Sequence, residues 1–222
     1  MTRSVVNNQT PRCERCRFVP RWCICAGWEP VACALAVDVL MHYREVRRPT
    51  STGHLVTRVM PGARLHLHRQ EGAPARETVA RPGRELWILH PRGEAVPPGV
   101  DPAGVQVLLL DGSWGEAARM ATHVAGWGRL VCLPDAGESR NGLRRQESSG
   151  KYSTIESLLF LLTALGLTEA ERRLRLQFEL HVYAGLRTRG ARVQAEAFLA
   201  QSPIREAFPD LLAELHRRRP LV

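Results

Sequence analysis

The sequence is poor in the features that would assign it quickly. It has no run of about 18 uninterrupted apolar residues, which argues against a helix crossing a membrane. Its first residues, Met1 to Gln9, are polar and carry no apolar core of a signal peptide, so the cytoplasm is the expected compartment. It contains neither a G-x-G-x-x-G nor a P-loop, so dinucleotide and nucleoside-triphosphate sites of those kinds have no support. No internal repeat is evident. Lysine is nearly missing: Lys151 is the single one among 31 basic residues.

What is present is ordinary in bulk and unusual in charge. A chain of 222 residues suffices for one well-buried domain with a small appendage. A hydrophobic share of 44% and a charged share of 24% are those of a globular protein. The net charge of +9 suits a polyanionic partner, because basic side chains on phosphates release condensed counterions. The arginine bias also fits a GC-rich genome, so arginine is not by itself evidence of guanidinium chemistry.

Four of the six cysteines, Cys13, Cys16, Cys23 and Cys25, crowd the segment PRCERCRFVPRWCIC. Two close pairs on a short loop can present four thiolates tetrahedrally to one Zn²⁺, a closed structural site. An iron–sulfur centre is the alternative metal reading. Disulfides are disfavoured in a cytosolic compartment. Cys33 and Cys132 lie in apolar runs and read as buried thiols.

After this cysteine module, over residues 10–27, strands alternate with helices. Expected strands are Cys33 to His42, Leu65 to His68, Glu85 to Leu89 (ended by Pro91), Val105 to Leu110 and Arg129 to Leu133. Expected helices open at Thr50-Ser51-Thr52-Gly53 through Val59, and run over Gly115 to Ala125, Thr154 to Leu165, Glu169 to Leu186, Arg192 to Ala200 and Ile204 to His216. The alternation predicts an α/β fold with a mainly parallel sheet covered on both faces, followed by a helical C-terminal third.

In such sheets ligands bind beyond the carboxyl ends of strands. Three segments fall there: His90-Pro91, Asp111 to Trp114, and Leu133-Pro134 with the long loop after it. Asp111 directly after a buried strand suits a catalytic carboxylate, and equally a helix cap. Ser113 and Glu116 have capping-box spacing, as do Ser153 and Glu156. The second helix start, opening from a polar loop, also offers N–H groups to a carboxylate or phosphate.

LLLDGSWGEAARM resembles the strand–D-x-T-W–helix signature of the DTW-domain family. LRRQESSGKYSTIESL is similar to that family's second signature, an arginine before S-T-x-E. MHYREVRRPTSTGHL resembles its H-x-x-E segment and T-G-x-L helix start, and the cysteine pairs match its metal knuckle. The four matches run in order over residues 10 to 190. Ser113 stands where the name motif has Thr, and Ser51 where many members have Asn; neither change removes the carboxylate or the tryptophan.

The resemblance implies a SPOUT-like fold with a deep knot over residues 30–222. It implies transfer of the 3-amino-3-carboxypropyl group of S-adenosylmethionine to N3 of a uridine in tRNA. The implied catalytic residues are Asp111 (the base for N3), Trp114 (a dry wall for the sulfonium) and Glu156. Leu89, Pro91, Leu133, Ser153 and Thr154 are the implied cofactor contacts, with Ser153 and Thr154 on the methionyl carboxylate. Arg119, Arg144 and Arg145 are the implied RNA contacts, and the four cysteines hold structural zinc. Three rival readings stand beside this one: a SPOUT-type RNA methyltransferase, a non-catalytic zinc-containing RNA-binding protein, and the same aminocarboxypropyl transfer directed at ribosomal RNA.

Overall fold

The computed structural model describes residues 11–133, 138–143 and 152–217. Its sheet has five strands: β1 (Ala36–His42), β2 (Arg64–His68), β3 (Glu85–Ala95), β4 (Val105–Asp111) and β5 (Arg129–Cys132). Their order is β2-β1-β4-β3-β5, and every neighbouring pair is parallel. The helices are α1 (Gly53–Val59), α2 (Arg76–Val79), α3 (Trp114–His123), α4 (Thr154–Ala164), α5 (Thr168–Thr188), α6 (Arg192–Ala200), α7 (Ile204–Ala207) and α8 (Pro209–Arg217).

The central strands explain the sheet. β1 is buried along its whole length and β4 at all but one position. Near-continuous apolar runs of this kind suit strands covered on both faces, as a parallel sheet requires. On one face Leu40, Ile88 and Leu108 pack with Met120 of α3, with Val124 just after that helix and with Val79. The polar intruders, Asp38 and Gln106, satisfy each other through a 2.6 Å hydrogen bond from the Gln106 amide. Arg64 and Arg81 add ion pairs to Asp38 at 2.8 and 2.5 Å. Burial pushes the Asp38 carboxyl up, but the two guanidinium groups outweigh it and hold the carboxyl below its ordinary range.

Two elements differ from the sequence expectation. β3 does not stop at Pro91 but continues to Ala95. Its ladder to β4 covers only Glu85 to Ile88, so the missing proline N–H costs no bond there. Its ladder to β5 slips, with Val131 facing Leu89 and then Glu94. Gly93 lies in that bulge, where a Cβ would come within 2.5 Å of the Val131 backbone. The expected helix from Ile204 to His216 is two helices, α7 and α8, broken at Phe208 before Pro209. Cys33 and Cys132, expected to be buried, are half-buried.

The chain connection from β1 leads outward to β2, while that from β4 passes over β3 to β5 on the other side. The chain therefore parts at the carboxyl ends of β1 and β4, where open α/β sheets form a crevice. Residues 30–133, 138–139 and 152–174 form one compact unit containing the sheet and α1 to α4. Residues 11–29, 140–143 and 175–217 form a second, in which the cysteine segment packs with the C-terminal helices. There the Gln177 amide donates to the Gly27 carbonyl at 3.0 Å, and Phe18 lies against His181 at 4.8 Å. The knot implied by the resemblance depends on the path between β5 and α4, where residues 134–137 and 144–151 lie outside the described residues. No helix among the described residues is long and apolar enough to cross a membrane.

Candidate functional site

Asp111 ends β4 in the crevice, 2% exposed, opposite Met41 of β1. A buried carboxylate is costly unless its lone pairs are used, and two hydroxyls use them. Ser51 Oγ donates to Oδ2 at 2.8 Å, and Thr154 Oγ1 donates to Oδ1 at 2.6 Å. Ser51 precedes α1 and Thr154 is the first residue of α4, so one side chain ties together three segments far apart in sequence. The fit is close: a Cβ on Gly53 would lie 2.7 Å from the Asp111 Cγ. Glycine at α1's start is therefore demanded by contact with the carboxylate. Thr52 Oγ1 completes the seam by accepting the Ile155 N–H at 3.4 Å.

Both helix starts are capping boxes. At α3 the Glu116 carboxylate accepts the Ser113 N–H at 2.8 Å while the Ser113 hydroxyl accepts the Glu116 N–H at 3.4 Å. Glu116 also meets His42 Nδ1 at 3.2 Å, linking α3 to the end of β1. Burial raises the Glu116 carboxyl, but the Ser113 donors and His42 outweigh that and hold it below its ordinary range. At α4 the buried Glu156 accepts the Ser153 N–H at 2.9 Å and the Ser153 hydroxyl at 2.7 Å. It takes the Ser139 hydroxyl as well, at 2.9 Å.

The other expected site residues divide. Asp111, Thr154, Ser153 and Glu156 come together. Ser153 and Thr154 direct their hydroxyl protons at carboxylates of the protein, Glu156 and Asp111. Trp114 opens α3 and is 38% exposed. Leu89 and Pro91 stand within β3, half-buried and exposed, because that strand outruns its expected end. Leu133 follows β5 directly and is half-buried. Arg119 is exposed on α3, and Arg144 and Arg145 lie outside the described residues. Ser51 and Gly53 as partners of Asp111 escaped the sequence reading, since a contact across 60 residues leaves no local signal.

The four cysteines of the second unit fit a metal. Their sulfur atoms all lie within 4.8 Å of one another, with Cys13–Cys25 and Cys16–Cys23 both at 3.7 Å. A tetrahedron with Zn–S bonds near 2.3 Å has edges of about 3.8 Å, so this spacing is that of ligands to a common centre. A disulfide would need about 2.05 Å. Burial raises the Cys13 thiol, but the N–H groups of Cys16 and Arg15 and the nearby thiols outweigh it, bringing its pKa to about 7. Burial dominates at Cys16 and pushes it up to about 11. Four protein ligands leave no open position, so a zinc ion here would be structural.

A family model described as DTW domain matches residues 10–184. The match includes the cysteine segment, Asp111 with its partners, and α4. The chain belongs to the DTW domain family.

Proposed function

We propose, on the premise of that membership, that the chain transfers the 3-amino-3-carboxypropyl group of S-adenosylmethionine to N3 of a uridine in tRNA. The family, a family of tRNA aminocarboxypropyltransferases, supplies the reaction class. The observation that carries the reading to this chain is the convergence of three signature segments on the Asp111 carboxylate. S-adenosylmethionine brings an electrophilic methylene beside a sulfonium, whose carbon–sulfur electrons return to sulfur as methylthioadenosine departs without needing a proton.

The protein's task is then the nucleophile. Uridine N3 is a poor nucleophile until its proton is gone, and a carboxylate base removes it. Asp111 is nearly enclosed, whereas Thr154 is half-buried and within 2.6 Å of it. Thr154 accordingly takes the N3 proton on Oγ1 while passing its own to Asp111 Oδ1. Ser51 steadies the other oxygen and keeps the carboxylate in place. N3 lies on the Watson–Crick edge, so the base must be unpaired or flipped to reach this point. The four cysteines would hold structural zinc in the unit that carries them.

Product analysis tests the reading. Purified protein with unmodified tRNA should release methylthioadenosine and leave an aminocarboxypropyl-uridine nucleoside detectable by mass spectrometry. Release of S-adenosylhomocysteine would instead assign methyl transfer. Absence of any product, with tRNA bound, would assign a binding protein.

A further inference from the structure

A second cleft, of about 200 Å³, opens in the same unit at the carboxyl ends of β1 and β2. Its wall is a row of three imidazoles. His42 and His68 end the two strands and are buried; His123 ends α3 and is exposed. His42 and His68 lie near-parallel, 21° apart with centroids at 5.8 Å. His68 and His123 are 16° apart at 4.9 Å, and their ring nitrogens meet at 2.7 Å. Tyr43 continues the aromatic surface, with the Arg44 guanidinium 5.5 Å over its ring.

The charge of the cleft is unbalanced. Burial holds His42 and His68 below the ordinary histidine pKa, so both are neutral near pH 7. Arg44, Arg69 and Arg119 are exposed cations, and Glu116 is the one carboxylate lining the cleft. Glu116 is already engaged by the Ser113 N–H and by His42, with Arg44 more distant at 3.9 Å. The imidazoles do not converge as metal ligands, since the cysteines form the one such group among the described residues. Cationic side chains beside an open aromatic edge match a ligand that is anionic at one end and flat at the other.

Position names the ligand more closely. β1 neighbours β4 and Met41 pairs with Asp111, so His42, the next residue, projects to the opposite face of the sheet and nears Asp111 only across the carboxyl edge. Strands stand about 4.8 Å apart, so the ends of β1 and β2 are roughly 5 to 10 Å from the end of β4. An RNA strand that presents its reactive uridine at Asp111 and crosses this edge would lay its neighbouring nucleotide in the cleft. Resting on the reading that RNA is the substrate, we propose that the cleft binds one nucleotide flanking the modified uridine. Its phosphate lies on Arg44 and Arg119, and its base against His123 and Tyr43. Histidine and tyrosine serve as stacking platforms for single-stranded RNA, and stacking tolerates any base.

The test uses the full-length protein and tRNA carrying 4-thiouridine next to the target position. Irradiation should cross-link peptides containing Tyr43 or His123. In parallel, tRNA affinity is measured against salt for the wild type and for Arg119→Ala, Arg44→Ala and His123→Ala. Arg172→Ala, on an exposed face of α5, serves as the charge control. Each arginine variant should flatten the log–log slope by roughly 0.7 to 0.9, the share of one phosphate. Loss of the stacking platform in His123→Ala should weaken binding about fivefold or more. Cross-links confined to other peptides, or variants matching Arg172→Ala, would overturn the nucleotide site while leaving the transferase reading intact. A wild-type protein that binds no tRNA would overturn both.

Discussion

Replacing Asp111 by Asn separates chemistry from architecture. The carboxylate now accepts from Ser51 at 2.8 Å and from Thr154 at 2.6 Å. Asparagine keeps the size and one acceptor oxygen, but its amide group can only donate. One hydroxyl must turn to accept, and the bonds lose their charge. Hydrogen bonds to charged groups contribute about 1.5–3 kcal/mol each against about 1 for neutral ones, so the variant should lose roughly 1–3 kcal/mol of stability and remain folded. Transfer should fall much further, by a factor on the order of 10² to 10⁴, because no group remains to receive the N3 proton. The assay is single-turnover transfer to tRNA across pH, beside a thermal melt. The variant should regain rate at alkaline pH, where N3 ionises unaided, and a purely structural lesion would not. Thr154→Val should reproduce the loss and Thr154→Ser should restore activity, since serine keeps the relaying hydroxyl. Near-normal turnover of Asp111→Asn at neutral pH would refute the proton-transfer argument and reduce Asp111 to a tether between three segments.

Other expectations follow from the same contacts. Gly53→Ala places a methyl 2.7 Å from the Asp111 Cγ and should cost about 1–3 kcal/mol in a melt, with activity falling as the carboxylate shifts; unchanged stability and turnover would contradict the close approach. One zinc per chain is expected by elemental analysis, lost in Cys16→Ser with a lower melting point, whereas iron would favour the cluster alternative. Stability should decline as pH falls below the ordinary histidine value of about 6.5, because buried His42 and His68 titrate lower in the folded state and the unfolded chain binds protons first. At His42, Glu116 and Glu45 oppose that shift while Arg44 and Arg119 reinforce it; at His68, His123, His42 and Arg119 reinforce it. His68→Gln should flatten the melting-point profile between pH 7.5 and 5.5, and an equally steep profile would contradict the assignment.

Local pattern made much of this architecture legible. Apolar runs place four of the five strands to within three residues at either end, and the cysteine spacing points to a tetrahedral cluster. Both capping boxes were visible as Ser113 with Glu116 and Ser153 with Glu156. The failures have physical causes. Pro91 reads as a strand end, yet β3 has lost its β4 partner by that point and tolerates it. Phe208-Pro209 splits a helix that periodicity alone continues. The partners of Asp111 come from residues 60 positions before and 43 after it, and the row of imidazoles joins β1, β2 and α3. Contacts made by parallel crossover connections carry no sequence period, so the chemistry-bearing residues were legible singly and their assembly was not.

The central claim is that the methylene of S-adenosylmethionine, rather than its methyl, meets the RNA. It is tested most directly by incubating the protein and unmodified tRNA with cofactor labelled in the methyl or in the methionyl carboxyl. Label from the carboxyl should enter tRNA with a stoichiometry near one, and label from the methyl should leave with methylthioadenosine. Label entering tRNA from the methyl alone would contradict it.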